Sequence, residues 1–313
     1  MGKTFVFVNQ KGGVGKTTSV INLGAYIALA GKKTLLIDFD PQGNMSSGVG
    51  IQKKRPTVYD ALAQKTSIKN TIYPTTVKNL SAIPASIDLS GATVELVDEA
   101  DREFYLKNII ESVKNEYDYI LIDAPAGIGK GIESILELVN RCIVVTHPLW
   151  VSLRNGARMI QVCQEHNIRD YAIAFNAVPI DGENINLYDM LEVLRAEYVG
   201  AIIPYDEDIL TYTQDGRLLE FVSSELKAML APLVDYVTTG DCWEDYDVQK
   251  HFDAYVTKKK ASKEQDSTPS LATVGESIFE DSNNVHYINR GGWTTQRLLV
   301  QGKQSLWRRS KLK

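Results

Sequence analysis

Glycine, lysine and threonine are concentrated in one stretch of the chain, residues 9–19, which reads NQKGGVGKTTS. The stretch follows an apolar run, residues 4–8, and precedes a segment with apolar residues at helical spacing, residues 20–30. A strand, a glycine-rich loop and a helix in this order form a phosphate-binding loop. The stretch therefore predicts a site for the phosphates of a nucleoside triphosphate.

Each residue type in this loop has a role in phosphate chemistry. The three glycines carry no Cβ, so the backbone can turn sharply and direct its N–H groups at phosphate oxygens. The helix that begins near Lys16 adds the positive end of its dipole. We expect Lys16 to reach the β- and γ-phosphates and Thr17 to offer its hydroxyl to Mg²⁺. The residues predicted to bind the nucleotide in this loop are Gly12, Gly13, Val14, Gly15, Lys16, Thr17 and Thr18.

A second lysine, Lys11, stands at the head of the loop. The sequence KGGVGKT resembles the deviant Walker A motif of the ParA/MinD family of ATPases, and the resemblance covers roughly residues 1–235. In that family the leading lysine crosses a dimer interface and contacts the nucleotide of the partner subunit. The resemblance implies the same role for Lys11, because a cation supplied in trans can neutralise charge that develops on the phosphates. Homodimerisation with ATP is the expected consequence.

Carboxylates follow two apolar segments that have the pattern of buried parallel strands. Residues 33–38 (KTLLID) end in Asp38, which is followed by Asp40, and residues 119–123 (YILID) end in Asp123. The carboxyl ends of such strands border the nucleotide crevice of an open α/β sheet. Asp123 stands where a Walker B carboxylate belongs and is predicted to hold Mg²⁺. The resemblance implies that Asp40 orients the attacking water and that Asp38 lies near Mg²⁺. The alternative for both is an acidic turn residue.

The branch of the family that the chain resembles changes along its length. Residues 40–44 (DPQGN) and 83–97 resemble the ParA (Soj) branch, whereas PAGI at residues 125–128 is the MinD form. The MinD-like part implies that Asn176 and Pro204 contact adenine, although either could be a turn residue at a strand end. Residues 206–208 are three acids where DNA-binding ParA proteins have arginines, so DNA is the less expected surface. A fusion of the two branches would give the same pattern.

These residues require a scaffold that brings several strand ends together. The alternation of buried strands with amphipathic helices predicts a single doubly wound α/β domain, with a mostly parallel sheet and helices on both faces. Further strands are predicted over residues 80–84, 141–146, 171–176 and 201–204. Helices are predicted over residues 57–63, 93–97, 104–113, 157–166, 223–237 and 241–256.

Charge separates the domain from the C-terminal residues. The net charge is −5, but residues 257–313 contain eleven lysines and arginines against five aspartates and glutamates. Their charge of +6 leaves −11 for residues 1–256, and so acidic a domain repels nucleic acid. We predict an ATPase domain over residues 1–256, a flexible linker over 257–292 and a basic, partly amphipathic tail over 293–313.

Three interpretations of the tail stay open at this point. On a helical wheel Trp293, Leu299, Leu306 and Trp307 fall on one side, but Lys303 and Lys311 interrupt that side. The tail could be a disordered basic segment without a specific role, an anchor on a membrane surface such as MinD carries, or a nucleic-acid-binding segment.

The sequence as a whole predicts a Mg²⁺-dependent ATP hydrolase that dimerises with ATP. It would act in spatial positioning or partitioning, either in septum placement or in chromosome and plasmid segregation, together with an activating partner protein. The first strand begins almost at once and no apolar run is long enough to span a membrane. This favours a cytoplasmic protein, peripheral at the inner face of the membrane if the tail is an anchor.

Three other functions are alternatives to this one. The first is an ATP-binding scaffold without significant hydrolysis. The second is a P-loop biosynthetic ligase similar to dethiobiotin synthetase, for which Lys11 would be unnecessary. The third is a metallocentre-assembly ATPase, for which Cys142, Cys163 and Cys242 lack the spacing of ligands.

Overall fold

The computed structural model describes residues 2–90, 102–139, 141–180, 187–196, 199–205, 207, 211–212 and 224–267, and the backbone of four short strands between residues 279 and 311. The chain divides into two compact units, Met1–Lys259 and Lys260–Lys313. The predicted helix over residues 93–97 lies outside the described residues.

An eight-stranded sheet forms the centre of the first unit. Its strands are β1 (Lys3–Val8), β2 (Thr34–Asp38), β3 (Tyr73–Pro74), β4 (Leu80–Ile83), β5 (Tyr119–Asp123), β6 (Arg141–Thr146), β7 (Asp170–Val178) and β8 (Val199–Pro204). The order across the sheet is β3-β4-β2-β5-β1-β6-β7-β8, and neighbours run parallel except β3 with β4. Because β1 is central, strands β2 to β5 lie on one side of it and strands β6 to β8 on the other. This is the arrangement of a doubly wound sheet.

Helices cover both faces of the sheet. They are α1 (Lys16–Leu29), α2 (Asn44–Gly48), α3 (Val58–Leu62), α4 (Arg102–Val113), α5 (Lys130–Leu136), α6 (Trp150–Glu165), α7 (Leu187–Leu194), α8 (Ser224–Thr238) and α9 (Asp245–Ser267). Along β1, Val6 and Val8 belong to one hydrophobic core, whereas Phe5 and Phe7 belong to a second. Helices α4 to α7 and α9 pack into the first core, and α1 packs into the second together with most of the buried residues of α8. The predicted doubly wound α/β fold is confirmed.

Strand register places the two buried carboxylates side by side. Asp38 at the end of β2 pairs with Asp123 at the end of β5, and Phe7 of β1 pairs with the same Asp123. Every residue of β2 and β5 is buried, as expected of central strands in a parallel sheet. The loop that follows β1 therefore begins beside both carboxylates.

Two helices differ in length from their predictions. Helix α6 begins at Trp150, whereas the prediction began at residue 157. The first turn of the helix presents apolar residues to solvent, so the amphipathic pattern that the prediction used begins only after it. Helix α9 extends from Asp245 to Ser267, into the residues predicted as a flexible linker. Lysine, alanine and glutamate in residues 258–264 are good helix formers, so the helix continues without an apolar face.

The second unit contains an antiparallel sheet. Its strands are β9 (Phe279–Asp281), β10 (Val285–Arg290), β11 (Trp293–Leu298) and β12 (Leu306–Lys311), in the order β12-β11-β10-β9. The helical wheel drawn for the tail does not apply to these strands, because alternate residues of a strand share a face. Tryptophan and threonine in β11 favour the extended backbone.

Within the described part of the chain, the structure has no helix both long and apolar enough to cross a membrane.

Candidate functional site

The loop between β1 and α1 has the backbone of an anion-binding turn. Gly13 and Gly15 have positive φ values of 74° and 92°, which only glycine adopts without strain. Gly15 occupies the N-cap of α1, and no side chain there accepts a hydrogen bond from the first N–H groups of the helix. These N–H groups and the helix dipole are therefore free to bind a phosphate.

Asn176 holds the loop from the far side of the site. Its Nδ2 donates a hydrogen bond of 3.0 Å to the carbonyl oxygen of Val14. A Cβ on Gly15 would lie 2.0 Å from the same Nδ2, so any side chain at this position would clash with Asn176 unless Asn176 moved. The prediction that Asn176 contacts adenine is not tested by these contacts, which show a second role for the residue: it fixes the loop backbone.

Asn9 is a functional residue that the sequence reasoning missed. Its Nδ2 donates to the carbonyl oxygen of Val145, at 2.5 Å, and its Oδ1 accepts from the N–H of Lys11, at 2.9 Å. The fully buried Asn9 thus ties the start of the loop to β6, the neighbouring strand. The available signal was a polar residue directly after four consecutive apolar residues, 5–8.

Lys16, Thr17 and Asp123 converge at the start of α1. The Thr17 hydroxyl donates a hydrogen bond of 2.7 Å to Asp123 Oδ2. Lys16 is buried, and burial lowers its pKa, although the charges of Asp123 and Asp40 oppose the shift. Burial, followed by the neighbouring Asp38, raises the pKa of Asp123 to about 8. A cluster of this kind stabilises added positive charge near Asp123.

Both carboxylate oxygens of Asp38, which was predicted to lie near Mg²⁺, accept hydrogen bonds from protein groups. Its Oδ2 accepts hydrogen bonds from the N–H and the hydroxyl of Ser46, at 2.8 and 2.6 Å, and its Oδ1 accepts from the N–H of Asp40 at 3.1 Å. The Ser46 hydroxyl also accepts from the N–H of Ala85 at 3.0 Å. Ser46, which the sequence reasoning also missed, therefore links the end of β2 to the segment after β4.

Asp40 lies beside this anchored pair and is only half-buried. Its Oδ1 accepts a hydrogen bond of 3.0 Å from the N–H of Gln42, which fixes one carboxylate oxygen. After burial and Asp123, the charge of Asp40 also acts on the pKa of Lys16, so the two groups interact electrostatically. The predicted contact of Asp40 with the attacking water stays a prediction.

The residues fit a Mg²⁺ ion by their chemistry. Asp123 Oδ1 is buried and has no hydrogen-bond partner among the described residues. A buried carboxylate oxygen without a donor is unfavourable unless a cation or water satisfies it. Together with the Thr17 hydroxyl, Asp123 offers the hard oxygen ligands that Mg²⁺ prefers.

Lys11 occupies a different position from the residues above. It is exposed, whereas Lys16 is buried. Its charge, after burial, helps to lower the pKa of His147, the first residue beyond β6. Lys11 therefore lies at the exposed rim of the site on the β6 side.

Two predicted nucleotide contacts remain, Pro204 and Thr18. Pro204 is buried at the end of β8 and pairs with Val178 at the end of β7. Thr18 is half-buried in the first turn of α1, where its carbonyl oxygen accepts a hydrogen bond of 2.9 Å from Asn22 Nδ2. No described contact joins Pro204 to the loop, so its predicted role at the adenine stays a prediction.

The parallel sheet, the glycine loop and the carboxylates at the strand ends define a P-loop nucleotide-binding domain. A family model described as an AAA domain matches residues 2–171. The chromosome-partitioning ATPase Soj of Treponema pallidum is 51% identical over 208 residues, which cover 66% of this chain and 80% of that protein. The chain belongs to the ParA/MinD family of ATPases.

Solved structures of MinD proteins share the fold. The septum site-determining protein MinD from Pyrococcus horikoshii, complexed with Mg-ADP, is 27% identical with a TM-score of 0.66, over 76% of this chain and 96% of that one. MinD in the MinC:MinD cell division complex of Aquifex aeolicus is 25% identical with a TM-score of 0.65, over 78% and 98% of the two chains. Sequence similarity is thus greater to Soj, while the fold is also that of MinD.

Proposed function

We propose that the chain is a Mg²⁺-dependent ATPase of the partitioning or positioning type, which dimerises when ATP binds. The observation that carries this proposal is the convergence of Lys16, Thr17 and Asp123 at the N-terminus of α1. Two relatives support it: Soj from Treponema pallidum is a chromosome-partitioning ATPase, and MinD from Pyrococcus horikoshii binds Mg-ADP.

The binding step uses the loop and its buried lysine. The backbone N–H groups of the loop and of the first turn of α1 donate hydrogen bonds to the phosphates, and Lys16 offsets the phosphate charge from within the same subunit. Thr17 and Asp123 hold Mg²⁺, which when bound neutralises charge on the phosphates. Asn9 and Asn176 keep the loop in its binding conformation through their hydrogen bonds to Val145 and Val14.

The hydrolytic step requires an oriented water molecule. Asp40 is the carboxylate that we assign to this task, because it is half-buried beside Lys16 and one of its oxygens is fixed by the Gln42 N–H. We assign the hydrogen bond from the attacking water to the other oxygen. Orientation of the nucleophile by a fixed acceptor is a recurring contribution to phosphoryl transfer.

The exposed Lys11 makes dimerisation part of the proposal. Each Lys11 would contact the nucleotide of the second subunit, so that the dimer forms when both sites contain ATP. Hydrolysis cleaves the γ-phosphate from ATP, and the phosphate leaves the site with the charge that Lys11 neutralises, so the dimer separates. Such a cycle couples ATP turnover to residence on a surface, which is what a positioning or partitioning ATPase needs.

One set of variants tests these assignments together. Wild type, Lys16→Ala, Lys11→Ala and Asp40→Ala are compared for binding of a fluorescent ATP analogue, for phosphate release, and for mass by light scattering with Mg²⁺ and ATP. We expect Lys16→Ala to lose nucleotide binding, Lys11→Ala to bind ATP as a monomer, and Asp40→Ala to bind ATP, hydrolyse it very slowly and stay dimeric. Wild type that binds ATP without phosphate release would instead support the scaffold alternative.

We also propose that an activating partner protein controls turnover. The Aquifex MinD structure is a complex with the protein MinC, which supports protein partners for this fold in general. The test is to add cell extract of the source organism to the purified protein and to measure phosphate release. Extract should raise phosphate release by wild type and should not raise it for Asp40→Ala.

Contact with an anionic surface is proposed for residues 293–313. They contain six lysines and arginines and no acidic residue, whereas residues 1–256 carry −11. A membrane is the proposed surface, because Trp293 and Trp307 accompany the basic residues and tryptophan favours the lipid interface. The test is co-sedimentation with vesicles of anionic or neutral lipid, and retention of duplex DNA. ATP-dependent sedimentation with anionic vesicles that Arg308→Glu, Arg309→Glu reduces supports the proposal, and retention of DNA without sedimentation contradicts it.

A further inference from the structure

Three consecutive apolar residues lie exposed next to the nucleotide site. Leu149, Trp150 and Val151 are 56%, 54% and 65% exposed. Leu149 is the N-cap of α6, and Trp150 and Val151 are its first two residues; we refer to the three as the apolar turn. Two residues, His147 and Pro148, separate the apolar turn from the end of β6. A run of three large apolar side chains in contact with solvent is unfavourable for an isolated domain and marks an interaction surface.

The fold of the domain does not use the apolar turn. Helix α6 contacts the sheet through a different set of residues, which begins at Ser152 and recurs with helical spacing: Ser152, Leu153, Gly156, Met159, Ile160 and Cys163. Leu149 stands at the N-cap, where exposed helices usually have a polar residue, and makes no side-chain capping bond. Packing among the residues that the structure describes therefore does not explain the apolar character of this turn.

The position of the apolar turn relates it to Lys11. Strands β1 and β6 are paired neighbours, and Asn9 joins the ends of both through its hydrogen bond to Val145. Lys11 acts electrostatically on His147, which directly precedes the Pro148–Leu149 pair. The apolar turn thus borders the rim from which Lys11 reaches outward.

We propose that the apolar turn is the hydrophobic anchor of the ATP-dependent dimer and packs against a second copy of this chain. The inference rests on the proposed function, since it requires that Lys11 meets a partner subunit. A surface continuous with Lys11 is then part of the interface. In a dimer with two-fold symmetry both subunits use the same surface, so the apolar turn of each subunit packs against the other subunit. Residues 1–256 carry −11 in each copy, so the subunits repel and apolar burial must offset the repulsion. Tryptophan is among the residues that most often supply such anchors.

The chain provides a matched control for the test. Leu29 is 55% exposed, nearly the same as Leu149, but it ends α1 at the opposite end of that helix from the phosphate loop. Full-length wild type, Leu149→Ser, Trp150→Ser, Leu29→Ser and Lys11→Ala are studied with Mg²⁺ and a non-hydrolysable ATP analogue. Dimer dissociation constants come from analytical ultracentrifugation, and nucleotide affinity is measured on dilute monomer.

We expect Trp150→Ser to weaken the dimer roughly 30-fold and Leu149→Ser roughly fivefold to tenfold, the range for central and neighbouring residues of an interface. Leu29→Ser should dimerise like wild type, and all three serine variants should bind the analogue as monomers with unchanged affinity. The fluorescence of Trp150 is the difference between the emission of wild type and that of Trp150→Phe. Acrylamide should quench this difference less strongly after the analogue is added, because Trp150 is then buried in the dimer.

The outcomes separate this inference from the proposed function. If wild type stays monomeric with the analogue, the proposed dimer fails and the anchor fails with it. If wild type dimerises and Lys11→Ala does not, but Trp150→Ser and Leu149→Ser dimerise like wild type, the dimer stands and the anchor is wrong. Weakening by Leu29→Ser to the same degree would also contradict it, because the effect would then be independent of position.

Discussion

Replacement of Gly15 by alanine examines the contact between the phosphate loop and β7. Gly15 has φ of 92°, and a Cβ there would lie 2.0 Å from Asn176 Nδ2. Gly31 offers a comparison, because it has a similar φ of 87° but nothing within 4 Å of an added Cβ. Gly31→Ala therefore measures the backbone strain alone, and Gly15→Ala measures the strain together with the collision.

The expected magnitudes follow from these two environments. Left-handed backbone costs a non-glycine residue about 1–2 kcal/mol, which is the expected loss of unfolding free energy for Gly31→Ala. In Gly15→Ala the side chain of Asn176 must also move, which loses its hydrogen bond to Val14, worth about 1 kcal/mol. Crowding adds about 1–3 kcal/mol. We expect Gly15→Ala to be destabilised by about 2–4 kcal/mol more than Gly31→Ala, and its ATP affinity to fall at least tenfold.

Urea unfolding of the nucleotide-free protein and titration with a fluorescent ATP analogue measure both effects. The double variant Gly15→Ala, Asn176→Ala should be more stable than Gly15→Ala, because it removes the collision, but should retain the backbone strain. Equal destabilisation by Gly15→Ala and Gly31→Ala would refute the close approach of Asn176. Strict additivity in the double variant would show that the collision is with another group.

Three further outcomes follow from the site and its supports. Ser46→Ala should lower the unfolding free energy by about 2 kcal/mol, since the Ser46 hydroxyl donates a hydrogen bond to Asp38 and accepts one from the N–H of Ala85. Ser47→Ala in the same helix should change the unfolding free energy by less than about 0.5 kcal/mol. Equal effects of the two variants in urea unfolding would contradict the assigned hydrogen bonds. Asp123→Asn should raise the Tm of the nucleotide-free protein by ~2–4 °C, because it removes one of two adjacent buried carboxylates. The same variant should lose the further rise in Tm that Mg²⁺ and ATP cause in wild type. A lower Tm with an intact Mg²⁺ response argues against the Mg²⁺ assignment. Asp60→Ala should lower the unfolding free energy by about 1 kcal/mol, because its carboxylate accepts from both the N–H and the hydroxyl of Thr57 at the start of α3; an unfolding curve that coincides with that of wild type would disprove this.

The phosphate loop could be predicted from sequence because its parts are contiguous. β1, the glycines, Lys16 and Thr17 follow one another, so the order of residue types fixes the local geometry without any distant partner. The central strands were equally predictable, since buried parallel strands are nearly continuous apolar runs. The doubly wound fold and membership of the ParA/MinD family both follow from these local signals.

Contacts between distant residues could not be predicted in the same way. The Asn9–Val145 bond joins residues 136 positions apart, and the Asn176–Val14 bond joins residues 162 positions apart. A polar residue after a strand indicates a strand end, but its partner depends on which strands are neighbours. The start of α6 was missed for a different reason: Leu149, Trp150 and Val151 face solvent, so helical periodicity begins only after them.

The division of the interior into two cores affects how the protein can be probed. Helix α1, which begins at the phosphate loop, packs in one core, and α6, which begins with the apolar turn, packs in the other. The sheet separates them, so loosening of one helix does not directly expose the other. Hydrogen exchange should therefore report nucleotide binding and subunit contact as two separate patterns of protection, one in residues 16–29 and one in residues 150–165. A fluorescent label on either helix would follow one event without disturbing the packing that supports the other.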